Sequence, residues 1–121
     1  MFKIILILIH LFIGTICILI FPVINRKTKK ILIKRWSLLL LKIFKINLLV
    51  NNDLKKILSK KNYLIVSNHI SWLDIFVINS ACPVAFVAKQ SISKWPILSW
   101  LVKASETIFI DRKRITKIKE T

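Results

Sequence analysis

The stretch from Ile4 to Ile24 limits what this chain can become more than any other feature. It is almost wholly apolar, interrupted by His10, Gly14, Thr15 and Pro22, and it carries no full charge. A run of about 20 such residues is what an α-helix needs to cross the hydrocarbon of a bilayer. A cleaved signal peptide has a shorter apolar region and a small-residue cleavage site, whereas Phe21-Pro22-Val23-Ile24-Asn25-Arg26 stands here, so we expect an uncleaved transmembrane anchor over residues 1–25. The flank after it holds Arg26, Lys27, Lys29, Lys30, Lys34 and Arg35, against Lys3 and the amino terminus before it. By the positive-inside rule the remainder is cytoplasmic and the anchor single-pass. The competing reading is a buried core helix, although few soluble helices reach this length uncharged.

With 121 residues, only one small domain fits beside the anchor. A net charge of +16 accompanies 55% apolar residues, a pairing that ordinary soluble domains seldom show and that excludes disorder. Such a charge suits nucleic acid or an anionic bilayer, since both present dense phosphate. The apolar run favours membrane phospholipid. No nucleic-acid partner is expected, because a recognition motif and an aromatic-studded basic strand are both lacking. Cys17, Cys82, His10 and His69 are too few and too scattered for a disulfide framework or a metal site.

Residues Ile31 to Val50 keep a helical pattern; at about 100° per residue Lys34, Arg35, Lys42 and Lys45 fall in one arc. This describes an interfacial helix with its cations at phosphate level, or equally a core-packed helix with a solvated stripe. Asn51-Asn52-Asp53 breaks the pattern, and a short Lys-rich helix from Leu54 to Lys60 completes a basic segment over 26–61. From Asn62 the period changes. Tyr63–Val66, Pro83–Val87 and Thr107–Ile110 are β-prone, with helical stretches at Ser71–Ser80 and Ser91–Lys103 between them. The fold class is therefore α/β over 62–121, a parallel sheet with flanking helices and with ligand chemistry at the carboxyl ends of its strands. His69 and Arg112 fall just past two such ends.

In Val66-Ser67-Asn68-His69-Ile70-Ser71-Trp72-Leu73-Asp74 a histidine precedes an aspartate by five residues, across a strand-to-helix turn. In one continuous helix they would diverge by about 140°. With His69 in the turn and Asp74 in the first helical turn, the carboxylate can accept a hydrogen bond from Nδ1–H, fixing the tautomer and leaving Nε2 to take a proton. The carboxylate would also stabilise the imidazolium that forms. The same residues match a capping box, Ser71-Trp72-Leu73-Asp74, with His69 merely a turn residue, and spacing alone favours that reading because such boxes open many ordinary helices.

Asn68-His69 followed by Asp74 resembles the Asn-His-x4-Asp motif of the lysophosphatidic acid acyltransferase family. Lys89 after the second strand, Trp95-Pro96 in the next helical region and Phe109-Ile110-Asp111-Arg112 are similar to that family's later features, in the same order. The resemblance runs from Tyr63 to Arg112, and the anchor and amphipathic helix before it are similar to bacterial members. It implies transfer of a fatty acyl group from acyl-CoA or acyl-carrier protein to the free hydroxyl of lysophosphatidic acid, giving phosphatidic acid, at a bacterial inner membrane. No cofactor and no metal are implied. His69 would be the general base, Asp74 would orient it, and Arg112, with its planar fork of donors, would bind the acceptor phosphate, joined by Lys89 and Asn68 in substrate binding. Taken alone, Arg112 reads as one more cation of a basic tail with Lys113 and Arg114.

Where that family has a third block, Glu-Gly-Thr-Arg, and a later proline-containing block, the sequence has neither, and Ser99 and Glu106 stand where the family usually has glycines. A side chain opposes backbone geometries that glycine permits, and a carboxylate near a phosphate site repels its substrate. The expectation is a truncated or decaying copy with an incomplete sheet of about three strands and an unpaired edge. The alternatives to an enzyme are a membrane-tethered remnant that binds anionic lipid without catalysis and, from charge alone, a nucleic-acid-binding membrane protein.

Overall fold

With Leu, Ile and Phe throughout and no charge after Lys3 to solvate, Phe2–Ile20 winds into a 19-residue helix, α1. The computed structural model describes residues 2–51, 63–68, 70–94, 102 and 106–111. The chain divides into two compact units, Met1–Val84 and Ala85–Thr121. The end of α1 is tightened by hydrogen bonds from the Phe21 amide to the Ile18 carbonyl and from the Val23 amide to the Ile20 carbonyl. Pro22 between them has no N–H with which to continue the helix.

The second helix, α2, spans Arg26–Ile43. Asn25 starts it from an extended conformation, its Oδ1 accepting from the Thr28 amide at 2.8 Å, as an N-cap asparagine does. At the other end the Ile46 amide donates to the Leu41 carbonyl at 2.9 Å and the Lys45 amide to the Lys42 carbonyl at 3.0 Å, the paired bonds of a Schellman closure. That closure holds Lys45 at φ 58°, the left-handed region where glycine is usual. The helix expected over Ile31–Val50 is thus corrected at both ends. It begins at the asparagine cap and stops before Lys45, which leaves the cationic arc of Lys34, Arg35 and Lys42. A non-glycine closure carries no residue-type signal, so the sequence pattern ran past it.

Trp36 of α2 faces His10 and Gly14 of α1, while Lys29 near the start of α2 lies over Phe21. Partner numbers fall on one side as they rise on the other, so the two helices form an antiparallel hairpin. In α1 the buried residues are His10, Gly14 and Ile18, and in α2 they are Ser37, Leu40 and Leu41. Most of the remaining large apolar side chains of α1, among them Phe2, Leu8, Leu11, Phe12 and Leu19, are exposed, with Leu6 and Ile7 half-buried. This rules out a core helix covered by the described residues. A helix apolar and long enough to cross a bilayer, with that face uncovered, fits membrane association.

Leu73–Ala81 forms α3, which packs on α2 in place of the expected Ser71–Ser80. The Lys34 ammonium donates to the Ala81 carbonyl at 3.3 Å, a cation at a helix carboxyl end. Tyr63 Oη and Cys82 Sγ, 3.0 Å apart, tie the segment before the turn to the end of α3, and this contact pushes the phenol above its ordinary pKa. The strand expected at Tyr63–Val66 has no ladder partner among the described residues, and its Leu64 and Val66 are 83% and 86% exposed.

In the second unit Val87–Lys89 (β1) pairs in parallel with Ile108–Ile110 (β2), Val87 opposite Ile108 and Lys89 opposite Ile110. The strand expected at Pro83–Val87 therefore starts later, because the ladder to β2 begins only at Phe86, whose carbonyl accepts from the Ile108 amide at 2.8 Å. A 3₁₀ turn over Gln90–Lys94, closed by the Ser93 hydroxyl donating to the Gln90 carbonyl at 2.6 Å, stands where the helix Ser91–Lys103 was expected to begin. Most of the rest of that helix, and the one expected at Leu54–Lys60, lie outside the described residues.

A Cβ added at Gly14 would meet three atoms of the Trp36 indole at 2.7, 2.8 and 2.9 Å. Alanine gains about 1 kcal/mol of helix propensity over glycine, but overpacking against a ring fixed on both faces costs about 1–3 kcal/mol. Gly14→Ala should therefore lower the thermal midpoint of the detergent-solubilised chain followed by circular dichroism; a raised midpoint would show that the indole moves aside freely.

Candidate functional site

The turn before α3 is organised by one carboxylate. Asp74 folds back so that Oδ2 accepts from the amides of Ile70, at 2.7 Å, and Ser71, at 2.8 Å. The Ser71 hydroxyl accepts in turn from the Leu73 amide at 3.2 Å. These are the reciprocal bonds of a capping box. The regular helix is bounded at Leu73, but Trp72 already has helical φ and ψ of −58° and −21°, so Ser71 serves as the cap and Asp74 as the third helical residue. A carboxylate there also meets the positive end of the helix dipole.

The capping reading of these residues is therefore realised. The pairing of Asp74 with His69 is a separate matter, because His69 lies outside the described residues. Asn68, next to it in the sequence, is exposed. An ionised carboxylate has about four lone-pair sites, so two amides do not exhaust what Asp74 can accept.

Trp72 and Phe76 were not singled out in the sequence, although one lies inside the motif and the other four residues on, the spacing that shares a helix face. Trp72 meets Phe76 edge-on with centroids 5.7 Å apart and Phe44 edge-on at 6.0 Å. Phe76 reaches the Trp36 ring at 5.4 Å.

In the second unit Lys89 is the last residue of β1, exposed, and in register with Ile110 at the end of β2. Adjacent strands stand about 4.8 Å apart, so Lys89 and the chain leaving β2 through Asp111 emerge side by side at the carboxyl end of the sheet. Arg112, the next residue, lies outside the described residues. Glu106, before β2, takes φ 58°. The backbone geometry for which a glycine was expected at this position is present, and a glutamate adopts it.

A family model described as Acyltransferase matches residues 49–121. The 1-acyl-sn-glycerol-3-phosphate acyltransferase of Neisseria gonorrhoeae is 45% identical over 49 residues, 40% of this chain and 19% of that protein. The lyso-ornithine lipid O-acyltransferase of Rhodobacter capsulatus is 44% identical over 48 residues, 40% of this chain and 17% of the relative. The 1-acyl-sn-glycerol-3-phosphate acyltransferase of Saccharomyces cerevisiae is 39% identical over 59 residues, 47% and 20% of the two chains. The chain thus spans about a fifth of the length of these curated relatives. No solved structure matches it.

A left-handed backbone costs a residue with a Cβ about 1–2 kcal/mol, partly offset by the greater freedom glycine loses on folding. Glu106→Gly should stabilise the chain by about 1 kcal/mol in a urea titration, while Glu106→Ala, which removes the charge and keeps the Cβ, should not. Equal gains in both would place the effect in the charge rather than the backbone.

Proposed function

The chain belongs to the Acyltransferase family, and from that premise we propose that it esterifies the free hydroxyl of a lysophospholipid, lysophosphatidic acid before others, with an acyl group from acyl-CoA or acyl-carrier protein. The hydroxyl attacks the thioester carbonyl directly once its proton is taken, so no nucleophilic side chain is required. His69 is the base. Its Nε2 removes the hydroxyl proton, the alkoxide oxygen bonds to the carbonyl carbon, and collapse of the tetrahedral species expels the thiolate, which recovers the proton from the imidazolium. Asp74 holds Nδ1–H and stabilises the transient cation.

The observation that carries this reading is the Asp74 carboxylate drawn onto the amides of Ile70 and Ser71. His69 is bonded directly to the first of these residues. Lys89, at the carboxyl end of β1, and Arg112, which follows Asp111 in the sequence, are the cations assigned to the acceptor's phosphate, and Asn68 is assigned to substrate beside the base. The names of the relatives support a lysolipid acceptor, since they specify 1-acyl-sn-glycerol-3-phosphate and lyso-ornithine lipid. The membrane is assigned through α1, with the later part of the chain at the cytoplasmic face of a bacterial inner membrane, where anionic lipid attracts the exposed cations of α2.

A second reading is a membrane-tethered lipid binder without catalysis. It draws on the capping role of Asp74 and on Lys27, Lys30, Lys34, Arg35 and Lys42, all exposed on α2. Membranes carrying the chain, given an acyl thioester and lysophosphatidic acid, should form phosphatidic acid. His69→Ala should lower that rate by about 10²–10⁴-fold with an unchanged melting midpoint, whereas Asp74→Ala should lower the rate and also cost about 1 kcal/mol of stability through the lost cap. Undiminished turnover in His69→Ala would reject the assigned base. Retention on anionic liposomes with no turnover by the parent chain would favour the tether.

A further inference from the structure

The indole of Trp36 touches both helices that flank α2. On one side it stacks on the His10 imidazole, with centroids 4.5 Å apart and planes 8° from parallel, and its Nε1–H donates to the His10 carbonyl at 3.0 Å. Over Gly14 the approach is too close for any side chain. On the other side it meets Phe76 of α3 at 5.4 Å. Phe76 meets Trp72 at 5.7 Å, and Trp72 lies in the turn between the Ser71 and Asp74 that cap it.

These rings form one continuous series from the membrane-associated helix to the turn that carries the Asn-His-x4-Asp motif. We propose that Trp36 is a positioning residue for that turn: it fixes α3 against the α1–α2 hairpin and so sets where the Asp74 carboxylate and its neighbours stand relative to the lipid surface. The proposal rests on the acyl-transfer reading for its catalytic consequence, but not for its structural content. Trp36 touches no reacting atom; it acts through Phe76 and Trp72. Its one polar hydrogen is spent on a main-chain carbonyl that α1 leaves accessible across from Gly14, so the ring cannot rotate without losing that bond. Phenylalanine would keep the stack and lose the anchor, and leucine would lose both.

The test reads the turn directly, as amide hydrogen exchange of the whole chain in lipid nanodiscs. Trp36→Leu should speed exchange at the Ile70 and Ser71 amides by about tenfold or more, with Trp36→Phe between it and the parent, as expected for local opening of a capped turn. The Thr28 amide, held by the Asn25 cap, should be unchanged and reports any general loosening. Because Trp36→Leu could unfold the hairpin, Phe76→Leu is the companion variant. It leaves the contacts of Trp36 with α1 in place, breaks the series one ring later, and should speed the same two amides. Unchanged exchange at Ile70 and Ser71 in Phe76→Leu, or a rise matched at Thr28, would overturn the proposal.

In the acylation assay the same variants should lower kcat by about tenfold or more while the KM for the lysolipid stays within about twofold, since misplacement by about 1 Å is costly to the chemical step. A parent chain without turnover would count against acyl transfer and leave the exchange result to decide the role of Trp36.

Discussion

A tryptophan seated on the single glycine of the chain holds the first unit together. The Trp36 indole occupies space that only a missing side chain provides, and its N–H closes on the backbone of the opposite helix. Aromatic pairs of this kind contribute about 0.5–1.5 kcal/mol beyond their buried area. The same contact buries polar atoms at some cost: Nδ1 and Nε2 of His10 and Oγ of Ser37 have no hydrogen-bond partner among the described residues, and an unmet buried group costs about 1–3 kcal/mol. The ring stack and the two-helix packing must offset that loss. A helix pair so constructed is specified by shape, and the polar groups inside it add little.

The turn before α3 illustrates how a structural and a chemical role can occupy the same atoms. A carboxylate three residues after a serine is an ordinary way to start a helix, and the backbone amides it gathers here are those of that start. The same fold-back brings negative charge next to the residue that follows His69. In the proposed reaction that one side chain would serve stability and chemistry together, since the serine-to-aspartate spacing of the cap and the histidine-to-aspartate spacing of the motif share it.

Much of this architecture could be read from residue types because local chemistry decided it. Ser71 and Asp74 marked the start of α3; the asparagine cap at Asn25 and the donorless Pro22 are signals of the same local kind, but the expected elements were bounded without them. The parallel pairing of the two described strands followed from alternation of strand and helix. The failures have two causes. The closure at Lys45 is made by local bonds to Leu41 and Lys42, but by a residue type that does not announce it, whereas β1 beginning at Val87 instead of Pro83 is set by a partner elsewhere in the chain, which a window of residues does not contain. Tyr63–Val66 has the composition of a strand, but a strand is made by its neighbour. Glu106 was legible for the opposite reason: the backbone demand of that position outlasts the glycine that would satisfy it. At the candidate site the capping bonds of Asp74 were foreseeable from spacing, while the ring series through Trp36 was not, since Trp36 and Phe76 lie forty residues apart.

The antiparallel hairpin also restricts how deeply the chain can sit in lipid. Trp36 stands level with His10 and Gly14, midway along α1, so Lys34 and Arg35, its near neighbours on α2, share that level. An upright α1, roughly 28 Å long at 1.5 Å per residue, would carry both cations to the bilayer midplane, where each costs about 2.5–3.5 kcal/mol. A slanted hairpin avoids this by sinking its uncharged side among the acyl tails of one leaflet while the ammonium and guanidinium groups stay in water.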